Sequence, residues 1–411
     1  MEIRTLCVVG LGYIGLPTAL AFARQGVRVF GFDVNTEVVE SVNAMHVPFV
    51  EAGLAGPLVE VVNSGILSAS TTPQYADAMI IAVPTPFLPD KSADLSFIEA
   101  AVAIIAPVLT PEVLVVLEST SPPGTTEAVA KWIGQHRPEL VDTDGTLVVD
   151  VAHCPERVLP GHILEELASN DRLVGGLSAR AAERAAALYR VICQGEILIT
   201  DAKTAELAKC VENSFRDVNV AFANELSLIC DRLGVNVWEL ISLANHHPRV
   251  KILNPGPGVG GHCLAVDPWF IVSAAPEEAR LIRLSREIND EMPNRVVQRV
   301  KEATEGHDVH VIAALGLAFK ADIDDLRESP AVDVTLELAQ QYPDACLLAV
   351  EPNIQHLPAT LSKVRNIALC GYEEALAQSD VVVVLVDHKQ FISRPLIHDN
   401  VVVVDTRGIW R

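Results

Sequence analysis

The sequence predicts an α/β protein: two doubly wound parallel-sheet domains joined by a helical domain with a long central helix. Three observations predict it. Short apolar strands alternate with helical segments from residue 3 onward, the pattern of parallel βαβ units. Residues 201–233 contain neither Gly nor Pro and carry apolar residues at helical spacing. A second series of apolar strands begins near 308. The 411 residues suit two or three domains, with expected bounds 1–200, 201–300 and 301–411.

The elements follow in order. Residues 3–9 read as a buried strand, and Pro17 to Gln25 as a helix stopped by Gly26. Val27 to Phe32 is a second strand, closed by Asp33. Strands are expected at 79–83, 113–118 and 147–152, with 172–175 and 196–199 closing the domain. The helix over 201–233 stops at Gly234, and its length suits a span between domains or a dimer interface. Ala205, Leu207, Phe215 and Val218 read as its core-facing residues. Helical pattern continues over 235–295, broken by a loop from Asn254 to Pro268. Strands at 309–315, 345–350, 381–386 and 401–405 form the last domain.

Composition excludes several partners. A formal net charge of −22 repels nucleic acid and anionic membrane, so neither is an expected partner. An anionic substrate would need local Arg and Lys to overcome that field. No apolar run reaches the roughly 18–20 residues of a membrane span, and the N-terminus lacks a signal-peptide pattern. The eight cysteines form no C-x-x-C pair and read as reduced, mostly buried thiols of a cytoplasmic protein. No His, Cys, Asp or Glu cluster has metal spacing.

Gly10-Leu-Gly12-Tyr13-Ile14-Gly15 follows a strand, opens a helix, and precedes Asp33 at the end of the second strand. That context makes it a dinucleotide fingerprint. Gly10 permits the turn, Gly12 admits the pyrophosphate to the helix N-terminus, and Gly15 lets helix and sheet touch. Asp33 would accept from a ribose 2′-hydroxyl and repel a 2′-phosphate, favouring NAD over NADP. Thr85 and Thr120 end strands at the sheet edge where such ligands bind.

Pro255 to Pro268 holds four glycines in eight residues, then Cys263 and Asp267. By itself the stretch fits either a loop-held nucleophile or a buried structural cysteine. Lys209, Asn213 and Arg216 share one face of the long helix. On a buried helix they are costly unless functional; such a Lys can act as acid or base and an Asn amide can meet an oxyanion. Further charged groups stand in loops: Glu156-Arg157, His247 with Arg249, Phe319-Lys320, and Arg327.

These motifs together resemble the nucleotide-sugar 6-dehydrogenases of the UDP-glucose/GDP-mannose dehydrogenase family. The likeness covers essentially the whole chain, and two strings, 212–219 and 254–263, point to members acting on UDP-N-acetylhexosamines. It implies a homodimer and the four-electron oxidation of UDP-N-acetyl-D-mannosamine at C6, for surface polysaccharide. UDP-N-acetylglucosamine or UDP-glucose is the alternative substrate. Tyr13, Ile14, Asp33, Thr85 and Thr126 would contact NAD, with Thr120 near the nicotinamide. Lys209 would move protons, Asn213 would stabilise the oxyanion, and Cys263 would carry a thiohemiacetal and then a thioester. Arg157, Val158, Arg216, His247, Arg249, Gly260, Phe319 and Lys320, with Lys209 and Asn213, would hold the UDP-sugar. Arg327 and Arg407 would add nucleotide contacts to NAD or the partner subunit. Relatives acting on UDP-glucose carry a second Glu four residues after Glu156; here Pro160 stands there, leaving Glu156 or Asp267 to activate water. Two other classes compete: a single-hydride hydroxyacid dehydrogenase, and a non-catalytic NAD- or sugar-binding protein.

Overall fold

The computed structural model describes residues 3–49, 51, 53–158, 161–261, 263–393, 395 and 400–410. Pro160, and His262 beside Cys263, lie outside the described residues. The chain divides into two compact units, Met1–Glu212 and Asn213–Arg411.

The first unit is built on eight strands: β1 (Thr5–Val9), β2 (Arg28–Phe32), β3 (Leu67–Ser70), β4 (Ala78–Ile81), β5 (Leu114–Leu117), β6 (Asp150–His153), β7 (Arg172–Gly176) and β8 (Ile197–Asp201). Their order is β3-β2-β1-β4-β5-β6-β7-β8. Alternate residues of β1 enter opposite cores: Leu6 and Val8 join one layer, Cys7 and Val9 the other. Both faces are covered, as a parallel sheet requires. One pairing departs from the expected all-parallel sheet: β7 runs antiparallel to β6. Among its described residues, the segment between them carries only the short helix Ile163–Ser169.

The second unit holds β9 (Val311–Leu315), β10 (Cys346–Val350), β11 (Ile367–Leu369), β12 (Val381–Val384) and β13 (Val402–Asp405), ordered β11-β10-β9-β12-β13 and all parallel. Helices Val237–Ala244, Asp267–Ala274 and Arg280–Ala303 belong to this unit. The helix Ala202–Leu233 crosses the boundary between the units. β3 and β11 were not expected. Leu-Ser-Ala-Ser and Ile-Ala-Leu are short edge strands, and neither carries a long apolar run.

Candidate active site

At the end of β1 the chain turns at Gly10, whose φ of +92° favours glycine. A Cβ there would stand 2.5 Å from Ala82 O. A Cβ on Gly15 would stand 1.8 Å from Gly10 O, so helix Gly15–Arg24 starts against the turn only with glycine at its first position. Gly12, by contrast, faces open space, and Ile14 sits at the helix N-cap. Tyr13 stacks on Phe49 with ring centroids 4.3 Å apart. Asp33 is half-buried; its Oδ2 accepts from Leu11 N (2.8 Å) and its Oδ1 from Asn35 N (2.9 Å). These bonds aim the carboxylate and leave lone pairs to spare.

Beyond β4, the Thr85 hydroxyl oxygen is buried and has no partner among the described residues, and the same holds for that of Ser121 beyond β5. Orphaned hydroxyls at this sheet edge, beside an open Gly12, fit a dinucleotide. Thr120 is half-buried beside them. Thr126, an expected NAD contact, is fully buried, and its hydroxyl donates to Glu206 Oε1 (2.6 Å). Glu206, on the long helix, also accepts from Thr126 N and Gly124 N, both at 2.6 Å. A carboxylate thus caps helix Thr125–His136, where the helix dipole favours an anion.

Behind this edge lies a buried ionic cluster that sequence reasoning caught only at Glu156. Arg172 Nη2 stands 3.1 Å from Glu156 Oε2 and Nη1 3.8 Å from Glu118 Oε1. Glu118 is also bonded by the Thr18 and Tyr189 hydroxyls at 3.0 and 3.1 Å. Burial and the neighbouring Glu156 push Glu118 up to about 7, against the lowering pull of Arg172. Glu156 Oε1 accepts from Arg157 N (2.6 Å), so both its oxygens are engaged. The Arg157 guanidinium itself pairs with Glu212 (2.8 Å) and donates to Asp171 O. Val158 is half-buried. His153, next to Cys154, is fully buried with neither ring nitrogen bonded among the described residues, and burial pushes it down to about 3.

The long helix follows the expected pattern only in part: Ala205 is buried as expected. Glu206, Lys209, Cys210, Asp217 and Asn224 are buried, whereas Phe215 is 72% exposed and Leu207 39%. The reading of Leu207 and Phe215 as core is corrected: among the described residues nothing covers that stripe. Arg216 is likewise exposed rather than part of a buried polar stripe. Lys209 is buried and, among the described residues, its ammonium carries no hydrogen bond or ion pair.

In the second unit, Asn213 Nδ2 donates to Asp267 Oδ2 (2.5 Å). Asp267 opens helix Asp267–Ala274, and its backbone N donates to Cys263 O (2.9 Å). Cys263 is exposed, unlike the five cysteines buried elsewhere. Its loop is pinned at both ends. Asn224 Oδ1 accepts from Gly256 N (2.9 Å), and Arg286 Nη1 reaches Leu264 O (3.5 Å). Arg286 is fully buried, 2.6 Å from Asp217 Oδ1 and also bonded to Asp290. Asn289 links Asp217 to Asn224, at 2.8 Å on each side. Burial raises Asp217 despite the Arg286 charge that lowers it.

Gly260 and Gly261 bring this loop onto the segment after β9. A Cβ on Gly260 would lie 2.3 Å from Glu328 O, and one on Gly261 3.0 Å from the Phe319 ring. The structure therefore joins the Cys263 loop to Phe319, with Lys320 exposed next along. Of the other expected residues, Arg407 is half-buried, its guanidinium against Gly256 of the same loop, and His247, Arg249 and Arg327 are exposed. Arg249 N donates to His247 Nδ1 at 3.4 Å. Arg327 pairs with Asp325 (2.6 Å) and Arg407 with Asp387 (2.9 Å).

Three stretches match the UDP-glucose/GDP-mannose dehydrogenase family: its NAD binding domain over residues 4–193, its central domain over 203–291 and its UDP binding domain over 313–411. An NDP-N-acetyl-D-galactosaminuronic acid dehydrogenase of Ralstonia nicotianae is 53% identical, over 100% of this chain and 97% of that protein. A UDP-N-acetyl-D-mannosamine dehydrogenase of Escherichia coli is 51% identical over the full length of both. Among solved structures, the UDP-N-acetyl-mannosamine dehydrogenase of Staphylococcus aureus superposes with a TM-score of 0.85 at 39% identity, covering 99% of each chain.

Proposed function

The chain belongs to the UDP-glucose/GDP-mannose dehydrogenase family and is an NAD-dependent UDP-sugar dehydrogenase; we propose that it oxidises the C6 alcohol of UDP-N-acetyl-D-mannosamine to the carboxylate. The observation that carries the reading is Cys263: an exposed thiol at the end of a glycine loop whose backbone is tied to Asp267 and, through Asp267, to Asn213.

The Gly10–Gly15 turn and Asp33 would hold NAD, which would supply the hydride acceptor for each oxidation. Lys209 takes the C6 hydroxyl proton as the alcohol becomes an aldehyde, the general-base role its place on the long helix, one turn before Asn213, suits. The Cys263 sulfur adds to the aldehyde carbon, forming a thiohemiacetal and keeping the aldehyde in the site. Asn213 and Lys209 face the developing oxyanion. Loss of the second hydride leaves a thioester. Water then attacks its carbonyl, the C–S bond breaks, and the thiol and carboxylate are released. We assign the water proton to one of two carboxylates, Glu156 or Asp267, the latter tied to Asn213 and to the Cys263 backbone. Phe319, Lys320 and Gly260 are assigned to the UDP-sugar, with Arg157, Val158, Arg216, His247 and Arg249 completing its site. Arg327 and Arg407 are assigned to nucleotide phosphate.

We further propose a homodimer. Leu207, Val211, Phe215, Phe222, Ile229 and Leu233 form an exposed apolar row on the long helix, larger than a lone soluble helix leaves open. The cytoplasm, where NAD and UDP-sugars are made, is the proposed location. A uronate on a nucleotide carrier is an activated donor, which suits surface-polysaccharide synthesis. A galacto-configured N-acetylhexosamine is the second reading, favoured by the equally similar Ralstonia relative. Purified protein assayed on a panel of UDP-sugars decides between them. The highest kcat/KM is expected for UDP-N-acetylmannosamine, and a higher value for the galacto or gluco epimer would overturn the assignment.

A further inference from the structure

The turn after β9 is closed by a side-chain pair that nothing in the motifs announced. Glu351 follows β10 and is buried. Its Oε2 accepts from Leu317 N (2.8 Å), Ala318 N (3.0 Å) and His388 Nε2 (3.0 Å). Its Oε1 accepts from Asn353 N (3.1 Å) and Asn353 Nδ2 (3.0 Å). Burial alone would raise this carboxyl, yet the bonds from His388 and Leu317 N outweigh it and hold it below the usual range.

His388 is the hinge of the arrangement. It is 1% exposed and edge-on to Phe391, 5.3 Å between ring centroids. Asp322 N donates to His388 Nδ1 (2.9 Å). A backbone N–H can only donate, so Nδ1 is the acceptor and the ring hydrogen sits on Nε2, directed at Glu351. Asp322 adopts φ +61°, a left-handed conformation rare for a non-glycine residue, and Lys389 N donates to its Oδ1 (3.1 Å). Glu351 therefore grips the start of the 317–322 segment and His388 its end. Between the two grips lie Phe319, against Gly261, and the exposed Lys320.

We propose that Glu351 and His388 are positioning residues for UDP: they touch no ligand themselves, and hold Phe319 and Lys320 where the nucleotide meets them. The inference rests on this domain binding UDP, and deepens that reading. It is tested by calorimetric titration of the full chain with UDP and, separately, with NAD. Binding of UDP by the unchanged protein tests the reading itself; the variants test the pair. His388→Ala is expected to weaken UDP binding about tenfold, as loss of a charge-assisted hydrogen bond does, with the NAD Kd unchanged. His388→Gln can still donate to Glu351 and is expected to recover part of the loss. If His388→Ala fails to fold, His388→Gln decides: a smaller, UDP-selective loss supports the pair. Unchanged UDP affinity in the folded variant, or equal weakening of UDP and NAD, would overturn it.

Discussion

Gly10 and Gly316 each follow the first strand of their sheet, with φ of +92° and +94°. Each donates its N–H to the last residue of the second strand, Phe32 or Val350, at 2.8 Å. The next amide, Leu11 or Leu317, donates at 2.8 Å to an acid just beyond that strand, Asp33 or Glu351. Past that point they diverge. In the first unit a helix starts at Gly15, Gly12 stays open, and Asp33 keeps accepting capacity. In the second, five donors occupy Glu351, and the next helix waits until Pro330. The same strand–turn geometry thus leaves an open glycine turn in one unit, the proposed dinucleotide contact, and in the other anchors a loop whose side chains are proposed to meet UDP. A shared turn does not carry a shared ligand; the acid after the second strand, open or closed, separates them.

The largest way to break this comparison is to add one methyl group to each turn. Gly15→Ala puts its Cβ into Gly10 O and should weaken NAD binding about a hundredfold or more while sparing UDP. Gly316→Ala, with its Cβ 2.4 Å from Val386 Cβ at positive φ, should do the reverse. Equilibrium titrations with both ligands check the crossing; parallel losses in either variant would show that the two turns are not independent. A smaller test concerns the buried ions behind each site. Arg286→Met strands Asp217 and should cost about 3–5 kcal/mol by denaturant titration. Adding Asp217→Leu should return much of it, and no recovery would mean the pair is not what fails.

The smallest effect lies with Glu118 in the first unit. Its folded value, about 7, lies above its ordinary 4.5, so the folded state holds the extra proton between them. Stability from this group is full below about 4.5 and is lost as pH rises to 7 and beyond. Glu118→Gln removes that loss. Its melting temperature relative to the parent should climb by roughly 5 °C between pH 5 and pH 8. A flat difference would deny the shift.

Much of this was legible in the residues. The Gly10–Gly15 spacing, the Val-rich strands and the Gly-free helix are local patterns, and they mark the first turn, the sheets and the long helix directly. The buried networks are not local. Asp217 and Arg286 lie 69 residues apart and Glu351 and His388 37 apart, so each looks like a surface charge until the fold pairs them. Phe215 and Leu207 misled in the opposite sense: apolar residues on a helix imply burial, though the cover need not come from the same chain. The direction of β7 was hidden because an apolar strand carries no sign of its orientation.

The central claim is that Cys263 carries the sugar through two oxidations. It is tested most directly by counting NADH formed per UDP-N-acetylmannosamine consumed, in the unchanged protein and in Cys263→Ser. Two NADH per sugar are expected for the first, with uronate as product, and no steady uronate formation for the second. One NADH per sugar, or a serine variant that turns over fully, would contradict it.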